Sequence, residues 1–326
     1  MKNKWLMLLI TLLLITSVFV GCTGKQEEVK TDANGDTIAV IGDEAYPLVV
    51  VDGLGNSVTI KEKPEKVISI SPSQTEVLYA LGLGDKLIAV SDFCDYPVEA
   101  MDKEKVGSSW TTNTERIIEL EPQIVFVYGE GQPEAIEQLT QAGVTILKFM
   151  PESIEEVFES MMVTGQVFGI EDTAKTIIDE LTERRDAIVE LVKGQPTRSV
   201  FYQVWDEPLS TAATGSFIDE LITLAGGENI AADAEGAWPM YSVEALVEKD
   251  PEVYLAPAHM GETTNLTEAE EQMLIDSIKA RPGYSQINAV VNNRIVPLEP
   301  NIVSRPGVRI IDALELIAKG IHPELF

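Results

Sequence analysis

Only two histidines occur among the 326 residues, His259 and His322, and only two cysteines, Cys22 and Cys94. A Ser-His-Asp triad would have to rest on His259, since His322 sits in the C-terminal tail, and no Gly-x-Ser-x-Gly elbow supports one. Zinc and manganese sites want several histidine and carboxylate ligands, and two lone cysteines make no zinc-thiolate centre, so no resident metal or cofactor is expected. Gly82-Leu83-Gly84 falls at the end of a predicted helix, whereas a dinucleotide loop follows a strand; it reads as a helix cap. The residues with reach are instead aromatic. Trp110, Trp205 and Trp238 are three of the four tryptophans, and each falls in a predicted loop. Broad faces carrying few charges suit the binding of a large, flat, partly apolar ligand, without turnover.

The elements that must position these rings read as an α/β alternation. Residues 46–60 form a hairpin around Gly53-Leu54-Gly55-Asn56, whose Gly and Asn tolerate a tight turn. Strands are predicted at 67–71, 87–90, 124–127 and 144–149, with helices at 73–83, 115–120 and 132–142. Ser73 is the expected N-cap of the first helix, with Glu76 at capping-box spacing. Helices 153–168 and 171–193 follow, the second long enough at about 1.5 Å per residue to span two domains. The alternation then resumes, with strands at 199–204, 253–256 and 294–297 and helices at 217–224, 243–248, 268–280 and 308–319. Strands alternating with helices imply parallel sheets covered on both faces.

The chain also matches itself. Residues 115–127 (ERIIELEPQIVFV) align with 244–256 (EALVEKDPEVYLA), pairing Glu115 with Glu244 and Pro122 with Pro251, and a tryptophan precedes each block. Upstream, 76–87 matches 219–230 in the same order. The fold class expected is therefore α/β, with two similar Rossmann-like lobes, 46–160 and 196–326, joined by a helical connection, 161–195. Ligands of open α/β sheets bind outside the carboxyl ends of the strands, so the cleft between lobes is the expected site. Its predicted lining includes Ser71, Pro72, Tyr96, Trp110, Tyr128, Trp205, Trp238 and Arg305, the last able to hold a carboxylate or phosphate.

At the N-terminus, Lys2 and Lys4 precede an apolar run from 5 to 20, too short for a comfortable membrane span. Gly21-Cys22 then resembles a lipobox, which makes 1–22 a lipoprotein signal peptide and Cys22 the lipidated residue; an ordinary secretory signal is the alternative. Polar residues 23–45 read as a tether. Acidic residues outnumber basic ones 53 to 24, a balance that repels nucleic-acid backbones and excludes them as partners.

Residues 68–97 (ISISPSQTEVLYALGLGDKLIAVSDFCDYP), 106–122 (VGSSWTTNTERIIELEP), 226–247 and 304–326 closely resemble class III periplasmic binding proteins of ABC importers, nearest to the cobalamin-binding branch, with siderophore and heme binders as close relatives. The resemblance spans about 47–326. It implies a membrane-anchored extracytoplasmic monomer that is not an enzyme, binds cobalamin or a related corrinoid, or else a ferric siderophore or heme, and delivers it to a permease dimer with its ATPase subunits. Trp110 and Trp238 occupy positions matching cobalamin-contacting tryptophans. Glu115 and Glu244 match the glutamates, one per lobe, that dock on permease arginines. Other readings are an enzyme lodged in an α/β sandwich and a sensor or adhesion lipoprotein of the same fold.

Overall fold

A computed structural model describes residues 29–31, 37–39, 45–258 and 266–326. Cys22 and His259, named above, lie outside the described residues. The described residues divide into two units, one holding 29–31 and 37–39 and the other 45–258 and 266–326. In the first, β1 (Val29–Thr31) pairs antiparallel with β2 (Thr37–Ala39).

The second unit opens with the expected hairpin, β3 (Leu48–Val51) against β4 (Ser57–Ile60). Asp52 closes its turn by accepting from the backbone N–H of Leu54 (3.0 Å) and Asn56 (2.9 Å). Two sheets follow. The first has the order β7 (Glu104–Lys105), β6 (Leu87–Val90), β5 (Val67–Ser69), β8 (Ile124–Tyr128), β9 (Thr145–Phe149), all parallel. In the second, β10 (Arg198–Asp206) lies beside β13 (Val253–Pro257), which lies beside β14 (Ile295–Leu298), in parallel. On its other side β10 pairs first with β12 (Gly227–Asn229), in parallel, then with β11 (Leu209–Thr211), antiparallel, across a register shift between Gln203 and Trp205.

Burial on both faces dictates the near-continuous apolar strands. Successive side chains point to opposite faces, and the core divides accordingly. In β8, Ile124 and Phe126 join one cluster while Val125 and Val127 join another; in β13, Val253 and Leu255 face one way and Tyr254 and Ala256 the other. The helices are α1 (Pro72–Ala80), α2 (Thr114–Glu119), α3 (Pro133–Gln141), α4 (Ile154–Phe168), α5 (Glu171–Val192), α6 (Phe217–Leu224), α7 (Val243–Lys249), α8 (Glu268–Lys279), α9 (Asn288–Val291), α10 (Pro300–Val303) and α11 (Ile310–Ile321). The long α5 packs on α4 on one side and α11 on the other. It buries Ala174, Leu181, Ile188 and Val192 from its apolar stripe, while Leu191 stays exposed. The largest core cluster runs without a break from the first sheet through α4, α5 and α11 to the second. Such a core resists bending between the lobes, since packed interiors deform little.

One expected detail is corrected. The N-cap of α1 is Ser71, not Ser73: its side chain accepts from the Gln74 N–H at 3.3 Å, and Pro72 takes the first helical position, where its fixed φ suits the helix and no donor is lost. The helix thus begins two residues early, and Glu76 lies too far along it to reach back as a capping-box partner.

The repeat is visible in backbone detail. Asn113 caps α2 by accepting from Arg116 N–H at 3.1 Å, and Ser242 caps α7 by accepting from Ala245 N–H at 3.0 Å. The residues before the matched prolines, Glu121 and Asp250, both adopt the left-handed conformation that non-glycine residues rarely take, with φ of 52° and 46°. Each helix then leads into a central buried strand, β8 or β13.

Candidate binding cleft

The carboxyl ends of the two sheets are tied together at two places. At the first, the segment after β14 bonds to the loops after β5 and β6. Asn301 donates to Asp95 Oδ2 at 3.1 Å, Arg305 grips Asp95 through both terminal nitrogens and donates to Phe93 O, and Arg309 donates to both oxygens of Glu76 at 2.8 and 2.6 Å. Here Gly307 backs directly on the Ser73 backbone; a Cβ on it would stand 3.0 Å from Ser73 O. At the second tie, Trp238 Nε1 donates to Glu152 Oε1 at 3.1 Å, and Ile154 N–H donates to Glu220 Oε2 at 2.8 Å. The remaining loops after the strands lie at the same carboxyl ends.

Trp110 and Trp238 sit on those loops, whereas Trp205, expected in a loop, lies near the end of β10, paired with Ser210; all three are exposed, 74% for Trp110, 51% for Trp205 and 41% for Trp238. Phe93, Tyr96, Met150 and Met240 join them as exposed apolar groups. Exposed apolar groups gathered at one edge suit a binding region, since monomers rarely expose large apolar patches without a function. Each ring is held by local structure. Ser108 Oγ accepts from Trp110 N–H (3.2 Å) and Thr111 N–H (3.1 Å), a serine turn that lifts Trp110 to its tip; Gln132 donates to the Trp110 carbonyl, and Phe93 meets the ring edge-on at 6.1 Å. Gly107 makes that turn possible, with φ of 86° and a backbone so close that a Cβ would lie 2.0 Å from Thr111 O. Trp238 rides on a segment laid along β11, through Thr211 N–H to Pro239 O at 3.0 Å and Ala213 N–H to Ala237 O at 2.8 Å, and its ring packs on Phe217 at 5.4 Å. Trp205 ends β10 just past the register shift, and its Nε1 donates to Glu207 O at 3.1 Å.

Other expected lining residues have different surroundings. Ser71 is buried and committed to the α1 cap, with Pro72 half-buried beside it. Tyr96 lies under the Arg309 guanidinium, 4.0 Å from ring centroid to Cζ, a cation–π arrangement. Tyr128 is half-buried, and burial, then the Glu152 carboxylate, pushes its hydroxyl up to about 12. Arg305, expected to meet an anionic ligand group, is instead engaged with Asp95 and Phe93 O, and its side chain is only 13% exposed.

Two acids matter here in ways the sequence reading missed. Glu76, expected only as a capping-box partner, is 1% exposed at its side chain, and burial raises its pKa even against the Arg309 and Arg305 guanidiniums that lower it. Glu152 has one oxygen on Trp238 and the other buried without a partner, and burial likewise raises its pKa. Glu115 and Glu244 are exposed, each the second residue of its helix, and among the described residues neither has a side-chain hydrogen bond or ion pair. Among the described residues no cluster of three or more potential metal ligands occurs.

A model described as periplasmic binding protein matches residues 67–302, most of both lobes. This chain belongs to the periplasmic binding protein family. The uncharacterized ABC transporter substrate-binding lipoprotein YvrC of Bacillus subtilis is 32% identical over 323 residues, covering 97% of this chain and 96% of YvrC. A vitamin B12-binding protein of Vibrio cholerae is 30% identical over 255 residues, covering 78% of this chain and 87% of that protein. The crystal structure of a possible iron-binding (periplasmic solute-binding) protein from Staphylococcus epidermidis superposes with a TM-score of 0.70 at 27% identity, covering 80% of this chain and all of that one. The two α/β lobes of this chain share the fold of that structure.

Proposed function

We propose that this protein captures cobalamin or a related corrinoid outside the cytoplasm and delivers it to an ABC importer, without catalysing a reaction. The observation that carries the reading is the set of exposed, locally anchored tryptophans at the carboxyl ends of both sheets. Rings of this size desolvate a flat macrocycle, and the polar groups between them orient it. The similarity to a vitamin B12-binding protein supports the corrinoid, and the similarity to YvrC, named a substrate-binding lipoprotein, supports anchoring through Cys22. In this reading residues 1–21 are removed, Cys22 carries the lipid, 23–45 tether the protein to the membrane, and 46–160 and 196–326 flank the ligand from either side of 161–195 with little closure. Glu115 and Glu244, exposed at matching helix starts, meet basic residues of a two-fold permease; they suit that role because nothing among the described residues competes for them.

A second reading, a ferric siderophore or heme as ligand, is favoured by the similarity to the iron-binding structure. Calorimetric titration of the purified protein with cyanocobalamin, cobinamide, hemin and a ferric trihydroxamate separates the two. Cyanocobalamin should bind at micromolar concentration or below; hemin or the hydroxamate binding alone would transfer the assignment. For docking, Glu115→Lys with Glu244→Lys should leave ligand affinity intact and stop uptake by cells, and continued uptake would refute that role.

A further inference from the structure

We propose that the cleft rejects anionic ligands and that Asp95 is the residue setting this preference. The inference rests on the binding reading above and narrows its ligand class to neutral or cationic molecules. Among the loops that follow the strands of both sheets, only that after β6 carries a lysine, Lys103, which donates to Gly84 O. The cations that reach these loops from elsewhere, Lys105 and Arg281, are engaged by Cys94 O and by Gln203 and Asp206. Arg305 and Arg309 are the loops' only arginines; residues 259–265 add neither lysine nor arginine. Neither guanidinium is available. Arg305 spends both terminal nitrogens on Asp95 and one on Phe93 O as well, and lies 3.5 Å from Glu76. Arg309 is held by both oxygens of Glu76 and by Asn301 O, with its face over Tyr96. The acids on the same loops are less constrained. Asp92 and Glu207 are exposed without a cation, and Glu152 and Glu299 each bury one oxygen that has no partner. An approaching carboxylate therefore meets like charge and finds its natural partner already occupied, an arrangement that discriminates by repulsion as well as by attraction.

Of the two acids that neutralise the arginines, Glu76 is 1% exposed and Asp95 is 28% exposed. Asp95 is thus the one a ligand anion would have to displace. Asp95→Asn keeps the acceptor for Arg305 and removes the charge, leaving Arg305 and Arg309 to share the single Glu76 carboxylate.

The test measures affinity for two pairs of ligands that share a scaffold and differ in charge. One pair is dicyanocobinamide, with amide side chains, and dicyanocobyrinic acid, with carboxylates in their place. The other is a neutral ferric trihydroxamate and a trianionic ferric tris-catecholate. The wild-type protein should bind the neutral member of whichever pair it accepts at least about tenfold more tightly than the anionic one. Asp95→Asn, checked for an unchanged melting profile, should narrow that ratio by strengthening the anionic member. An anionic ligand bound as tightly as its neutral counterpart by the wild-type protein overturns the inference, whatever the variant does; an unchanged ratio in the folded variant overturns the role of Asp95. Binding within the iron pair alone, with the neutral member preferred, would sink the corrinoid assignment and leave the charge selection standing. Binding of none of the four overturns both.

Discussion

Replacing Arg309 by Met keeps a long apolar stem and removes the guanidinium that joins the last helical segment to α1. Glu76 would lose two hydrogen bonds, of 2.8 and 2.6 Å, and keep only Arg305 at 3.5 Å, while its carboxylate stays almost wholly buried. Stripping one partner from a buried ion pair costs about 3–5 kcal/mol, because the remaining charge has no water to turn to. The lost contact with Tyr96 adds to the same total rather than to a separate one. With a urea dependence of about 3 kcal/mol per molar, the unfolding midpoint at neutral pH should fall by about 1–1.7 M. Glu76→Leu combined with Arg309→Met should recover most of the loss, since it removes the stranded charge as well. Lys175→Met, which breaks the exposed pair with Asp179, is the control and should barely move the midpoint. If Arg309→Met shifts the midpoint no more than Lys175→Met does, the bridge between the lobes is not a buried structural contact and the reasoning fails.

Gly107→Ala should lower the melting temperature and weaken ligand binding together, because a Cβ there sits 2.0 Å from Thr111 O at a φ of 86°; backbone strain of this kind costs about 1–3 kcal/mol. A variant with wild-type melting and binding would show that the Trp110 turn is not fixed by this residue. Glu152→Gln should keep the bond to Trp238, since the amide oxygen still accepts, and should change how stability depends on pH. Burial raises the Glu152 pKa above the ordinary 4.5, so the stability its proton provides is present below that value and fades as pH rises through the raised one. Denaturation from pH 4 upward should therefore show the wild type losing ground to the variant with rising pH; parallel profiles would contradict this.

Much of the architecture is written in local pattern. Buried parallel strands advertise themselves as short apolar runs, and the caps Asn113, Ser153 and Ser242 mark helix starts within a residue or two. The short strands β7 (Glu-Lys) and β12 (Gly-Glu-Asn) escape such reading because their sequences carry no strand signal; the neighbouring strands impose it. Capping grammar misled at α1, where Ser71-Pro72 competes with Ser73 for the helix start and wins. That Trp110 and Trp238 sit at the carboxyl edge of the sheets was legible because the sheet topology puts the loops after strands on one edge. The fate of Arg305 was not. Its partner Asp95 lies 210 residues away in the chain, and no local spacing reports which acids a loop arginine will meet.

The claim that cargo lies against the tryptophans is tested most directly by titrating cyanocobalamin into the wild-type protein and into Trp110→Ala with Trp238→Ala, reading heat and intrinsic fluorescence together. One molecule should bind the wild type with quenched emission, and the double variant, folded to the same extent, should lose at least about tenfold in affinity, as expected when stacking area of this size is removed. Equal affinity in the two proteins, or binding that leaves the emission untouched, would place the ligand elsewhere.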